Sequence, residues 1–266
     1  MSGITININP VIFELGAFSL RWYSLMVMVA ILAAIWVAVR EGKRRGLGQD
    51  DMMNASLWAV VGGVIGARLF HVIDKLGFYL QNPHLILAMN QGGLAIWGGV
   101  GGGLAAALFY VHLKKMSVSA FLDTIVPALL VGQIVGRFGC IINGDAYGGP
   151  TTLPWGFIYV HPNAMIPAEY FGIPTHPYPV YEQLWNLGCL AFIWHLRSKP
   201  KWNGALFPAY LGIYSTGRLL LTFVRHEDVI FMGFQQAQLL ALAGVAASAV
   251  MMLVILARRP KRLETR

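Results

Sequence analysis

Seven apolar segments, each close to the length needed to cross a bilayer, dominate this sequence. A helix spans the hydrocarbon core with about 20 predominantly apolar residues. Segments of this kind cover Phe18–Val39, Leu57–Leu76, Gly93–Leu113, Ser119–Ile142, Tyr178–Leu196, Ala205–Val224 and Gly233–Ala257. The sequence therefore predicts an all-α polytopic membrane protein with seven transmembrane helices.

The composition agrees with this fold class. Hydrophobic residues make up 56% of the 266 residues and charged residues only 12%, whereas soluble domains carry about 25% charged residues. No Gly/Ser-rich or Pro-rich linker interrupts the chain, which predicts a single domain over residues 1–266. The two cysteines, Cys140 and Cys189, are too few for a disulfide framework or a cysteine-based zinc site, and we expect no metal and no cofactor.

The basic residues indicate how the chain is oriented. Most of the 20 Lys and Arg follow the first, third, fifth and seventh apolar segments: Arg40, Lys43, Arg44, Arg45, Lys114, Lys115, Arg197, Lys199, Lys201, Arg258, Arg259, Lys261, Arg262 and Arg266. The opposite loops, 77–92 and 143–177, contain none. Because cytoplasmic loops collect Lys and Arg, the N-terminus should lie outside and the C-terminus in the cytoplasm. Residues 143–177 then form a periplasmic arm between spans four and five, and the net charge of +8 favours anionic lipid rather than nucleic acid.

Three arginines, Arg68, Arg137 and Arg218, lie inside predicted spans and away from their ends. Such a charge costs at least about 2.5–3.5 kcal/mol on insertion scales and usually faces the protein interior. With about 1.5 Å of rise per residue, all three lie near the middle or in the outer half of the membrane. Tyr23 and Trp97 enter the same layer from outside. Because guanidinium groups bind phosphate through paired donors, this layer predicts a phospholipid head-group site.

A structural role is the alternative for each arginine. Arg137 and Arg218 could pair with Asp145 or Glu182 and fasten helices together. Arg68 shares one helix face with His71 and Asp74, a pattern that equally predicts an internal polar network. The glycine run GGVGGG at 98–103 follows no strand and indicates close helix packing through small residues.

The stretch VGRFGCIINGDAYGGP, residues 135–150, resembles the signature G-R-x-G-N-F-I-N-G-E-x-x-G of the bacterial prolipoprotein diacylglyceryl transferases. Matching positions are Gly136, Arg137, Gly139, Ile142, Asn143, Gly144 and Gly148. Asp145 stands where the family has glutamate, and Cys140 where it has asparagine.

Five further blocks resemble this family in the right order. They are RWYSLM (21–26), GARLFHV (66–72), PTTLPWG (150–156), HPYPVYE (176–182) and YSTGRLLLTFVRHED (214–228). Three positions depart from the pattern. Trp97 occupies a place where many members have histidine, Thr222 stands for a glutamate, and Pro179 replaces a glutamine.

The resemblance implies transfer of the sn-1,2-diacylglyceryl group from phosphatidylglycerol to the lipobox cysteine of a prolipoprotein, with release of glycerol 1-phosphate. It also implies a monomeric enzyme of the bacterial cytoplasmic (inner) membrane whose active site faces the outer side. The alternative is a non-catalytic or transport protein that binds an anion or a lipid head group with the same arginines. Transporters often contain repeated halves, and this sequence shows no repeat.

The resemblance and the charge pattern together suggest roles for individual residues. The expected catalytic residues are Arg137, Arg218, Asp145 and Tyr23. The expected substrate-binding residues are Arg137, Asn143, Gly148, Arg68, Tyr181, Tyr214 and His176. Because the thiolate is the nucleophile, a group must take the thiol proton, and Asp145, His71 and His176 all remain candidates.

Overall fold

The computed structural model describes residues 3–16, 18–88, 92–199, 202–225, 229–231 and 233–258. Within these ranges the chain is mostly helical. The helices are α1 (Trp22–Arg44), α2 (Gln49–Asp74), α3 (Leu76–Gln81), α4 (Ile96–Leu113), α5 (Val118–Asn143), α6 (Tyr178–Leu196), α7 (Leu206–Leu221) and α8 (Gln236–Arg258). The predicted basic residues Lys201, Arg259, Lys261, Arg262 and Arg266, and residues 226–228 of the last family block, lie outside the described residues.

Short strands accompany the helices, which the all-α prediction did not include. They are β1 (Ile4–Ile6), β2 (Val11–Leu15), β3 (Phe18–Arg21), β4 (Phe157–Tyr159), β5 (Val229–Phe231) and β6 (Phe234–Gln235). β1 pairs in parallel with β4, while β2 with β3 and β5 with β6 pair antiparallel. The hairpin of β2 and β3 explains why α1 begins at Trp22 and not at the predicted Phe18.

Five helices in the described ranges are long and apolar enough to cross a membrane: α1, α2, α4, α5 and α8. This supports a multi-pass membrane protein. Helix α6 occupies the predicted fifth span, but Glu182, Gln183 and Asn186 make it more polar. Helix α7 has 16 residues, about 24 Å at 1.5 Å per residue, which is short for a bilayer crossing.

The chain divides into two compact units, one formed by Met1–Ala34 with Val126–Arg266 and the other by Ile35–Ile125. In the second unit, glycines allow α2 and α4 to touch through their backbones. A Cβ on Gly66 would lie 2.9 Å from the Cα of Gly102, and a Cβ on Gly102 would lie equally close to the Cα of Gly66. The glycine run therefore serves close helix packing, as predicted from the sequence.

In the first unit, α5, α6 and α7 pack around a shared apolar core. Its buried members are Val126, Leu130, Cys189, Ile193, Leu196, Leu206 and Tyr210. Helix α8 joins α7 through Ser248, whose hydroxyl donates to the carbonyl of Pro208 at 2.7 Å. Nearer the end of α5, the start of α6 and the end of α7, these three helices carry polar side chains.

The arm between α5 and α6 is fastened to the end of α5. The hydroxyl of Tyr159 donates to the carbonyl of Ile141 at 2.9 Å, and the backbone N–H of Met165 donates to the carbonyl of Asn143 at 2.8 Å. Parallel pairing of Ile4–Ile6 with Phe157–Tyr159 adds the N-terminal segment to the arm. The last turn of α5 is thus covered by residues that are distant in sequence.

Candidate active site

A buried carboxylate joins two of the predicted arginines. Arg137 on α5 donates through Nη2 to Oε1 of Glu182 at 2.5 Å, and Arg218 on α7 donates through Nη1 to Oε2 at 3.3 Å. Glu182 lies on α6 and exposes only 3% of its side chain, whereas the arginines expose 22% and 20%. From the sequence, Glu182 is expected only as a possible structural partner of the arginines. A single sequence does not show that Arg137 and Glu182, which are 45 residues apart, are in contact.

Tyr178 forms a second anchor for Arg218 and was not among the predicted site residues. It lies one helical turn before Glu182, and its hydroxyl accepts a hydrogen bond from Nη1 of Arg218. The guanidinium carbons of Arg218 and Arg225 lie 5.6 Å and 5.1 Å from the centre of its ring, within the range of cation–π attraction. The family block HPYPVYE at 176–182 contains both tyrosines, but the sequence predicts only Tyr181 as a site residue.

The last turn of α5 adds a thiol and an amide to this cluster. Arg137 donates through Nη1 to the sulfur of Cys140 at 3.6 Å. Asn143 is 4% exposed; its Oδ1 accepts from Arg21 at 3.4 Å, and its Nδ2 donates to the sulfur of Met165 at 3.2 Å. These contacts hold the amide of Asn143 at the end of the helix.

Tyr23 reaches the same region because α1 passes close to α5. A Cβ placed on Gly139 would lie 3.1 Å from the Cα of Tyr23 and 3.1 Å from the Cβ of Met26. A larger residue at Gly139 would push the two helices apart. The small residue in the family signature therefore brings Tyr23 beside the turn that carries Arg137 and Cys140.

Asp145 follows α5 and has an altered acidity. Desolvation raises the pKa of its carboxyl, while its own backbone N–H, the side chain of Asn143 and the charges of Arg137 and Arg225 act in the opposite direction. The pKa of Tyr159 in the arm is also raised, first by burial and then by the charge of Asp145. A carboxylate with a raised pKa holds a proton more readily than an ordinary aspartate, which suits a general base.

A hydrogen-bonded chain of three side chains lies at the junction of the arm and α6. Trp155 donates through Nε1 to the hydroxyl of Tyr181 at 2.9 Å, and that hydroxyl lies 3.2 Å from Nδ1 of His176. Gly148 lies beside them, where a Cβ would be 2.7 Å from the Cβ of His176. The glycine thus permits the arm to approach His176, and three predicted residues are close neighbours here.

Tyr214 lies one turn before Arg218 on α7. Its ring stacks on that of Tyr210 with centroids 5.7 Å apart. The hydroxyl of Tyr210 in turn accepts from Nε2 of Gln133 at 2.8 Å. Tyr214 thus belongs to a polar and aromatic layer one turn away from the Arg137–Glu182–Arg218 cluster.

Arg68 belongs to the other unit, and its guanidinium is engaged by backbone carbonyls. It donates to Leu85, Ile86, Gly92 and Gly93 over 2.6–2.9 Å, and its side chain lies over the ring of Tyr79. His71 meets the same ring edge-on at 6.0 Å. These contacts favour the internal polar network over a phosphate clamp. Within the described ranges, no three His, Cys, Asp or Glu side chains group as metal ligands.

Comparison with known proteins gives one consistent result. The model of the family described as prolipoprotein diacylglyceryl transferase matches residues 10–254. A phosphatidylglycerol–prolipoprotein diacylglyceryl transferase from Nostoc is 35% identical over 248 residues, which cover 90% of this chain and 86% of the relative. Enzymes of the same name from Lactobacillus acidophilus and Clostridioides difficile are 37% and 31% identical, over 85% and 89% of this chain and 82% and 91% of the relatives.

Proposed function

Because this chain belongs to the prolipoprotein diacylglyceryl transferase family, we propose that it transfers the diacylglyceryl group of phosphatidylglycerol to the lipobox cysteine of a prolipoprotein. The cysteine sulfur forms a bond to the terminal glyceryl carbon, and the bond from that carbon to the phosphate oxygen breaks. Glycerol 1-phosphate leaves with the electron pair of the broken bond, and the thiol proton passes to a base. The products are a thioether and a phosphate monoester.

The observation that carries the proposal is the pairing of Arg137 and Arg218 around Glu182. Two guanidinium groups and one carboxylate leave one positive charge, which matches the single negative charge of a phosphodiester. The phosphate gains a second negative charge as the glyceryl carbon leaves it. Preorganised donors stabilise charge that develops in a transition state, so both arginines act on the leaving group.

Asp145 takes the proton of the incoming thiol. Its raised pKa favours this role, and so does its position two residues after the end of α5. Asn143 and Tyr23, which border the same turn, orient the head group. Trp97 does not take the thiol proton, because its indole N–H is a donor only.

The arm provides the side on which the peptide arrives. His176, Tyr181 and Gly148 are neighbours at the junction of the arm and α6, where Trp155 remains half exposed. An aromatic and hydrogen-bonding surface suits an extended peptide segment. Tyr214 supports Arg218 from the preceding turn of α7.

The proposed topology has seven spans, with α6 and α7 completing the five long apolar helices. The N-terminus is outside, the C-terminus is in the cytoplasm, and the site faces the outer side of the bacterial cytoplasmic membrane. Exposed basic residues at the end of α1, Lys43 and Arg44, support this orientation. The active form is a monomer, since the arginine cluster is complete within one chain.

The test is an assay of purified protein with phosphatidylglycerol vesicles and a lipobox peptide, read by the mass of the thioether product. We expect the wild type to form product and Arg137→Ala to lose about 100- to 1,000-fold in kcat, as for removal of one donor to a developing anion. Arg40→Ala is the matched control. Arg40 is an exposed arginine near the C-terminal end of α1, whereas Tyr23 of the site lies at its N-terminal end. This variant should retain activity. Absence of product from correctly inserted wild-type protein would refute the proposal.

A further inference from the structure

Glu182 takes no chemical step in the proposed reaction, yet it is the most deeply buried member of the Arg137–Glu182–Arg218 cluster. Each of its oxygens engages a different arginine, Oε1 with Arg137 and Oε2 with Arg218. The three residues come from three different helices. One carboxylate thus controls the separation and the relative orientation of both guanidinium groups.

The neighbours of Glu182 fix its position on both sides. Gln183 donates through Nε2 to the carbonyl of Ile134 on α5 at 2.9 Å, one turn before Arg137. Trp185 donates through Nε1 to the carbonyl of Ile213 on α7 at 3.1 Å, five residues before Arg218. Because α6 is fastened to α5 and to α7 within one turn of Glu182, its carboxylate is a fixed point for both arginines.

The carboxylate of Glu182 stabilises two arginines that would otherwise repel each other. Two guanidinium groups repel each other, and long arginine side chains lose considerable entropy when they are ordered. A carboxylate between them offsets the repulsion and holds both side chains in one geometry before the lipid arrives. Each guanidinium has five N–H donors, so one carboxylate cannot use them all. The bond to Glu182 orients the other donors, together with the contacts of Arg137 with Cys140 and of Arg218 with Tyr178.

We propose that Glu182 is a positioning residue that aligns Arg137 and Arg218 with the phosphate oxygens as the leaving group forms. This inference rests on the proposed function. The phosphate carries one negative charge in the bound lipid and two in the product, so alignment matters most in the transition state. Loss of Glu182 should therefore lower kcat more than it raises KM.

Glu182→Gln tests this role, because it keeps the size of the side chain and removes its charge. We expect kcat to fall about 100-fold, the cost typical of losing one preorganised donor, while the KM for phosphatidylglycerol changes by about 3-fold or less. Glu182→Asp keeps the carboxylate on a shorter side chain and should recover part of the loss. In an Arg137→Ala background, Glu182→Gln should cost about 10-fold or less, because residues that act as a unit are not additive.

Ile193→Ala is the matched control. Ile193 lies on α6 like Glu182 and is fully buried in the apolar core shared by α5, α6 and α7, but it belongs neither to the arginine cluster nor to the hydrogen bonds that hold Glu182. It should lower thermal stability without lowering kcat, measured below both unfolding transitions. A Glu182→Gln variant with wild-type kcat would overturn the inference, and so would equal losses of kcat in Glu182→Gln and Ile193→Ala that follow their losses of stability.

The measurement on wild-type protein distinguishes failure of this inference from failure of the proposed function on which it rests. Wild-type protein that forms no thioether would overturn both. Active wild-type protein with a large rise in KM and an unchanged kcat for Glu182→Gln would overturn the positioning role alone.

Discussion

Replacement of Arg68 by methionine distinguishes the two roles that the sequence left open for this arginine. Arg68 is 6% exposed and holds the segment that follows α3. Its guanidinium donates to four backbone carbonyls at 2.6–2.9 Å, those of Leu85, Ile86, Gly92 and Gly93. Methionine keeps much of the apolar length and removes every donor, so we expect loss of stability rather than loss of lipid binding.

The size of the effect follows from these contacts. A hydrogen bond to a charged group contributes about 1.5–3 kcal/mol, and the burial of the guanidinium cancels part of the sum. Removal of one partner from a buried charged arrangement typically costs about 3–5 kcal/mol. Because 1 kcal/mol lowers Tm by about 2–4 °C in a chain of this size, Arg68→Met should unfold roughly 10 °C below the wild type.

Thermal unfolding in detergent and lipid kinetics together provide the assay. The variants are Arg68→Met, Arg68→Lys and the exposed control Arg40→Met. The KM for phosphatidylglycerol, measured well below both transitions, should stay within about 3-fold of wild type for Arg68→Met. A wild-type Tm combined with a KM raised about 10-fold or more would show that Arg68 is a third phosphate clamp and would refute the structural assignment.

Three further substitutions test other parts of the site. Asp145→Asn should lower kcat by about 100- to 10,000-fold if the carboxyl is the general base. A general base must be deprotonated, and the pKa of Asp145 is raised. A pH–rate profile of the wild type should therefore show activity falling on acidification at a higher pH than for an ordinary aspartate. Tyr178→Phe keeps the ring that Arg218 and Arg225 approach but removes the hydroxyl that Arg218 contacts, so kcat should fall by about 10-fold, measured in the thioether assay. Trp97→His should leave kcat within about 3-fold of wild type if position 97 only shapes the site, whereas a large gain would indicate that a base is missing.

The helices could be predicted from the sequence because apolar length alone determines whether a segment suits the bilayer. The predicted fifth span coincides with α6, Tyr178–Leu196. The start of the first span was wrong because apolar residues also form strands, and Phe18–Arg21 pair with β2. Composition cannot distinguish these two uses of the same residues over four positions.

The candidate site was predictable as a set of residue types but not as a network. Arg137 and Arg218 stood out because charge is costly inside a membrane. Their joint partner Glu182 did not, because a contact between helices leaves no mark in one sequence. The backbone-carbonyl partners of Arg68 were equally unpredictable, because every residue possesses such a carbonyl, so the sequence left both roles open for this arginine.

The contact between Asn143 and Met165 makes the end of α5 sensitive to oxidation. Met165 is 55% exposed, and its sulfur accepts a hydrogen bond from the amide that Arg21 also holds. Oxidation converts this thioether to a sulfoxide, whose oxygen is a stronger and longer-reaching acceptor. Oxidised protein would hold Asn143 in a different place at the end of α5, so the transfer reaction would respond to oxidants through one methionine.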